Sequence, residues 1–483
     1  VLTEITETRS PASPLYDPET FKVQGYHVID MLADYMSKAQ NKERKVVLPN
    51  TKPEQMLKEW SGDFSEEGSL KLEDILSKTL DLSNNLHHPC YIGHQVSGPL
   101  PTAVLCDLVS IFLNNTSAAF EMGPVSTIME RKVISWMASH LGFGDKAEGV
   151  FTSGGTVGNL TALLAARQNK AGHDIWNDGI RPDEKLAFLV SEQAHYSSKR
   201  AIQIMGFGDE SVFHVPSDSQ CAMDLNALEE TYAKAIKQGY KVVAIVANAC
   251  STATGTYDPL EEIADFCEKY DLWLHIDGAH GASAVLSDKY KSLLKGVERA
   301  DSVVWDAHKM MLMPALITAV IFRNGGNSYE VFSQKASYIF EKSAREEWYN
   351  LCHRTMECTK TMMILKLYTS LKVHGTKVFS DYVTYTYDLT RQFAEILKET
   401  GLFEIPTEPM ANIICFRYKD ATTQDMDQLQ KTLRARILND QSFYITQTEV
   451  NGKTYMRCTI INPHTSIVEL RELIEKIKEV ASK

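Results

Sequence analysis

Between residues 149 and 322 short apolar runs alternate with amphipathic stretches. The runs are AFLV (187–190), VFHV (212–215), VVAIVAN (242–248), LWLHI (272–276), SVVW (302–305) and LITAVIF (316–322). Four to eight residues rich in Val, Ile and aromatics predict strands buried on both faces. Helical spacing at 157–169, 196–205, 223–237 and 260–270 supplies the crossovers that a largely parallel sheet requires. The last run follows its predecessor too closely for such a crossover, which predicts an antiparallel strand there. Upstream, residues 1–90 read as polar loops and amphipathic helices, as in FKVQGYHVIDMLADYMSKA from Phe21. Downstream, a helix over 379–399 leads to two strands, ANIICFRY and KTYMRCTII, and a closing helix, SIVELRELIEKIKEVA. The expected organisation is an N-terminal helical arm (1–92), a large α/β domain (93–375) and a small α+β domain (376–483).

Composition narrows the function classes. The 483 residues are 44% hydrophobic, enough for a sizeable core, and no run reaches the ~18 apolar residues of a membrane span. The net charge of −12 repels phosphate backbones, and the densest basic run, KERK at 42–45, contains a glutamate, so no nucleic-acid partner is expected. Nine scattered cysteines without a CxxC pair support neither a zinc site nor a disulfide scaffold, and no metal is expected. They fit reduced residues of a cytoplasmic protein, as does a start, VLTEITETRS, without the features of a secretory leader. Asn115 and Asn159 head glycosylation sequons, which are frequent by chance.

Ligands of open α/β sheets sit in the crevice at the carboxyl ends of the strands. Five segments deliver polar groups there: Ser153 to Thr156 after GVF, His195 after AFLV, Ser251 and Thr252 after VVAIVAN, Asp277 and His280 after LWLHI, and Asp306, His308 and Lys309 after SVVW. Alone, each has a bland reading as a loop glycine, helix cap or core histidine. Gly154-Gly155-Thr156 before a helix can cradle a phosphate, although the lysine of a Walker loop and the third glycine of a dinucleotide fingerprint are missing. Lys309 beside Met310-Met311-Leu312-Met313 is less bland, because an apolar setting activates a Schiff-base lysine. Together, a phosphate cradle, a carboxylate, a flat imidazole and such a lysine are what pyridoxal phosphate requires.

With these motifs in this order (GVFTSGGTVGNLTALLAAR, SEQAHYSSKRA, HIDGAHGASAVLS and ADSVVWDAHK), the chain resembles the group II pyridoxal-phosphate-dependent amino-acid decarboxylases. The resemblance runs from His88-Pro89 to the end. It implies fold type I: a large domain with a mostly parallel seven-stranded sheet, a helical arm over a partner, a small C-terminal domain, and a homodimer with sites at the subunit interface. It implies that Lys309 is the Schiff-base lysine, Asp277 the partner of the pyridine nitrogen and His195 the ring-stacking residue, with Ala279 against the other ring face. Gly155, Thr156, Asp306 and His308 fall at phosphate-pocket positions, and Ser251 and Thr252 match a cofactor-side pair of threonines. An acid near a phosphate is unfavourable, which sets Asp306 apart. Arg457 resembles an arginine that meets the substrate carboxylate, and His94 and Gln95 stand at substrate-pocket positions. Tyr349, in FEKSAREEWYNLC (340–352), is the candidate proton donor to Cα. The implied reaction is α-decarboxylation of an L-amino acid to its amine. The rivals are an aldehyde-forming reaction on the same scaffold and a catalytically silent homologue.

Overall fold

A computed structural model describes residues 10–332, 347–420 and 423–482. Seven strands form the large sheet: β1 (Glu148–Thr152), β2 (Leu186–Ser191), β3 (Val212–Val215), β4 (Lys241–Asn248), β5 (Trp273–Asp277), β6 (Ser302–Asp306) and β7 (Thr318–Phe322). Their spatial order is β1-β7-β6-β5-β4-β2-β3. The β2–β3, β2–β4, β4–β5 and β5–β6 pairs are parallel, whereas β7 is antiparallel to both β6 and β1. Two antiparallel steps restore direction, so β1 ends on the same edge as β2, β4, β5 and β6. β2, β5, β6 and β7 are buried at every residue, which explains why they read as continuous apolar runs rather than alternating ones.

Helix Gly155–Ala171 follows β1 and lies across the sheet against β4 to β7. A glycine allows that close approach: a Cβ on Gly158 would come within 3.2 Å of methyl groups of Val304, Thr318 and Val320. The remaining crossovers are helices Tyr196–Ile204, Leu225–Lys237 and Leu260–Tyr270. Asp224 caps the second by accepting from Asn226 N at 2.8 Å, so that helix starts two residues later than its periodicity suggests.

A second sheet, β8 (Phe403–Glu404), β9 (Ile413–Tyr418), β10 (Thr446–Val450) and β11 (Lys453–Thr459), is antiparallel in the order β10-β11-β9-β8. Asn451 and Gly452, both at positive φ, close the β10–β11 hairpin as a two-residue turn. Helices Lys377–Glu399, Met426–Asp440 and Ile467–Ala481 accompany this sheet around a core of its own. The N-terminal region contains helices Pro18–Gln40, Pro53–Glu59 and Leu72–Leu82. Helices Pro101–Leu113 and Pro124–His140 precede β1. Among the described residues no helix is long and apolar enough to cross a membrane.

Gly158→Val would drive a branched side chain into three methyl groups of the sheet. We expect a loss of about 1–3 kcal/mol in stability, read as a lower denaturant midpoint, where a surface substitution would leave it unchanged.

Candidate active site

The five turns at the carboxyl edge converge on one cavity. Gly155 and Thr156 reach it from β1, His195 from β2, Cys250 and Thr252 from β4, Asp277, Ala279 and His280 from β5, and Asp306, His308 and Lys309 from β6. Parallel direction produces this convergence, because each of these strands delivers its following turn to the same edge.

At the floor, Lys309 Nζ lies 3.1 Å from Asp306 Oδ2 and His308 Nε2 lies 3.5 Å from the same oxygen. Asp306 is opposite Thr318 in the β6–β7 register, and Thr318 Oγ1 donates to its other oxygen at 2.6 Å. Burial pushes the Asp306 carboxyl up. The Lys309 and His308 charges and the Thr318 hydroxyl outweigh that and hold it below the usual carboxylate value. Asp306 is therefore the counter-ion of Lys309 and not a bare acid facing a phosphate. His308 Nδ1 meets the carbonyl of Ile317 at 3.0 Å, which ties the β6 turn to the strand that follows.

Asp277 ends β5. Its Oδ2 accepts from Asn159 Nδ2 at 2.9 Å and its Oδ1 from the backbone N–H of Ala279 at 3.2 Å. His195 opens helix Tyr196–Ile204, with Nδ1 turned to Ser197 Oγ at 2.8 Å and to the Ser197 backbone N–H at 3.3 Å. Burial lowers the His195 pKa more than the nearby Asp277 raises it, so the ring is neutral near pH 7. His280 is held near pH 7 as a neutral ring too, its pKa pushed down to about 3 by burial and by Lys309, with Nε2 2.7 Å from Asn412 Oδ1.

Helix Gly155–Ala171 begins at the cavity without a side-chain cap, after Gly154 at φ +117°. Its N-terminus offers the positive end of the helix dipole and free backbone N–H groups. A Cβ on Gly155 would reach 3.4 Å from both Asp306 carboxylate oxygens and 3.8 Å from the Ala279 methyl, taking up cavity space between these three residues.

Other sequence candidates lie elsewhere. Ser251 does not line the cavity. Its hydroxyl meets Thr254 Oγ1 at 2.8 Å and accepts from Thr256 N at 3.3 Å, so it shapes the turn after β4 and leaves Thr252 to face inward. Arg457, on β11, is 5% exposed and its Nη1 donates to the Gly93 carbonyl and Thr446 Oγ1, each at 3.2 Å. Its Nε and Nη2 have no partner among the described residues. Its charge acts on Cys250 and His280, two residues of the cavity wall. His94 is exposed with its ring 5.4 Å from Tyr444, and Gln95 Nε2 is buried without a partner among the described residues. Tyr349 is half-buried against Phe120, ring centroids 5.4 Å apart, and is not in the cavity wall of this chain. Residues 340–346 of its segment lie outside the described residues. Sequence reasoning passed over Asn159 as a chance sequon and did not use Ser197. Both line the cavity and bind its key groups.

The family model for the pyridoxal-dependent decarboxylase conserved domain matches residues 71–419, which include all five turns. The chain belongs to the pyridoxal-dependent decarboxylase family. It is 29% identical to an aromatic-L-amino-acid decarboxylase of Bacillus atrophaeus, over 96% of each chain. It is 28% identical to an L-2,4-diaminobutyrate decarboxylase of Acinetobacter baumannii, over 84% of this chain and 82% of that one. Among solved structures it matches the glutamate decarboxylase domain of a Vibrio parahaemolyticus diaminobutyrate-pyruvate transaminase and L-2,4-diaminobutyrate decarboxylase. That match has TM-score 0.81 and 27% identity over 94% of this chain and 95% of the other. The cofactor of this decarboxylase is pyridoxal phosphate, and the cavity fits it. An uncapped helix N-terminus suits its phosphate, an amine suits its aldehyde, and a carboxylate held from behind suits its ring nitrogen.

The Asp306 carboxylate is held low in the folded protein, so the stability it adds is fully present above its unfolded value near 3.8 and is lost as pH falls through the lower folded value. Asp306→Asn leaves the Lys309 cation without its partner. We expect a cost of about 3 kcal/mol near pH 7, shrinking as pH falls below the unfolded value near 3.8, when denaturant midpoints of both proteins are compared.

Proposed function

We propose that this enzyme removes the α-carboxylate of an L-amino acid as carbon dioxide and releases the corresponding amine. The observation that carries the reading is the convergence of Lys309, Asp277 and His195 in one cavity that an uncapped helix N-terminus also lines. Bound pyridoxal phosphate supplies an aldehyde that captures amines and a ring that draws electrons away from Cα.

The residues of this chain do the rest. Lys309 would hold the cofactor through its amine. Asp277 places a negative charge at the ring nitrogen and keeps a proton there. His195 would bear on one face of the bound ring and Ala279 on the other. Gly155, Thr156 and His308 would hold the phosphate, with Asp306 beside Lys309 as its counter-charge, and Thr252 would border the ring. Arg457 brings two unpaired donors in a buried setting, which suits a carboxylate of the substrate. His94 and Gln95 border the path of the substrate side chain. Tyr349 returns the proton to Cα, reaching the site of a neighbouring subunit.

That last step requires a homodimer. Its support is an apolar surface along helices Pro18–Gln40 and Pro101–Leu113, where Phe21, Ile111 and Phe112 are 55%, 72% and 70% exposed. The rings of Phe21 and Phe112 meet at 5.5 Å, so the two helices present one continuous face. A cytoplasmic setting agrees with nine cysteines that are all free.

A panel of aromatic, acidic and basic L-amino acids offered to the cofactor-loaded enzyme tests the proposal. At least one should yield carbon dioxide and amine in equal amounts. Ammonia and hydrogen peroxide in step with carbon dioxide would instead make the product an aldehyde, and no release from any amino acid would mean a silent site.

A further inference from the structure

A line of buried polar groups runs behind the cavity. Trp273 Nε1 lies 2.9 Å from Ser302 Oγ, which lies 2.9 Å from His275 Nδ1. His275 Nε2 lies 3.0 Å from Asn159 Oδ1. Asn159 Nδ2 then reaches two acceptors, Asp277 Oδ2 and Ser197 Oγ, each at 2.9 Å. Ser197 Oγ ends the line at His195 Nδ1, 2.8 Å away. Trp273, Ser302, His275, Asn159 and Ser197 are each at most 1% exposed.

Asp277 and His195 fix the direction of this line. A carboxylate only accepts, so the Asn159 atom 2.9 Å from Asp277 Oδ2 is the Nδ2 donor, and the amide oxygen is the atom that faces His275 Nε2. His275 therefore carries its proton on Nε2 and gives it to Asn159 Oδ1. At the far end, the Ser197 backbone N–H already donates to His195 Nδ1, which makes that nitrogen an acceptor for the Ser197 hydroxyl as well. The Ser197 oxygen is then free to accept from Asn159. Only one orientation of the Asn159 amide satisfies every neighbour, with its oxygen toward His275 and its two N–H groups divided between Asp277 and Ser197.

We propose that Asn159 is a positioning residue for the cofactor: it holds the Asp277 carboxylate and, through Ser197, the His195 imidazole in one fixed relation, with its own amide locked by the line from Trp273. This rests on the reading above that Asp277 and His195 are the groups that meet the cofactor ring. Asn159 thus joins the residue at the ring edge to the residue on the ring face, from a helix that also presents its N-terminus to the cavity. His275 cannot replace it as an ionic partner of Asp277, since burial pushes its pKa down to about 4 and its one proton is used on Asn159.

The titratable groups that interact with Asp277 are His275 from β5, His195 from the turn after β2 and Cys250 from the turn after β4, while Lys309, Asp306 and Arg200 act together with Asp277 on His195. Asn159→Asp keeps the shape and removes both donors, so two carboxylates face each other and are compatible only with a proton between them. Pyridoxal phosphate is titrated into the wild-type and variant apoproteins at pH 8 and pH 6. We expect the variant to bind at least tenfold more weakly than wild type at pH 8, and within about threefold of it at pH 6. An equal loss at both pH values, or none at either, would overturn the assignment. Wild type that takes up no pyridoxal phosphate would instead refute the functional reading. The second measurement needs no variant and no cofactor. In the wild-type apoprotein labelled with ¹⁵N-histidine, His275 should stay neutral with its proton on Nε2 from pH 6 to pH 8. A neutral ring with its proton on Nδ1 would reverse the Asn159 amide and overturn the assignment even if the variant failed to fold.

Discussion

The site depends on the ion pair between Lys309 and Asp306. Met310, Met311 and Met313 next to the lysine are buried, an apolar setting that is costly for an unpartnered amine. Asp306 supplies the partner, and the β6–β7 register supplies Asp306: the strand pair sets it opposite Thr318, whose hydroxyl holds one carboxylate oxygen while Lys309 takes the other. The strand that runs against the sheet thereby fixes the acid beside that amine.

Around that pair, parallel strands end at one edge, so their turns meet there. Gly154, at positive φ, redirects the chain from β1 into a helix whose start faces the same cavity. The result is a rigid wall: a carboxylate fixed by Asn159 and the Ala279 N–H, an imidazole fixed by Ser197, and an amine fixed by Asp306.

The large sheet was legible because buried parallel strands are short, apolar and β-branched, and because polar residues follow them directly. That same rule points to Gly155, Thr156, His195, Thr252, Asp277, His308 and Lys309, which line one cavity. Groups whose roles depend on distant partners were harder to read. Asn159 is 118 residues from Asp277, and nothing beside it in sequence reveals the contact. Asp306 resembled a misplaced acid until its cross-strand neighbour was known. Ser251 looked like a cofactor contact, but its hydroxyl is used within its own turn. Helix Pro101–Leu113 gave little periodic signal because apolar residues such as Leu105, Leu108 and Phe112 remain exposed on the single chain. Tyr349, His94, Gln95 and Arg457 lie outside the strand-end pattern: Arg457 is on β11, His94 packs against Tyr444 and Tyr349 against Phe120.

The account stands on the amine of Lys309 being the one that holds the cofactor. The direct measurement is to saturate the protein with pyridoxal phosphate, reduce it with borohydride, and locate the label by peptide mapping. One label per chain, on Lys309, is the predicted result. A label spread over surface lysines, with Lys309 unmodified, would contradict it.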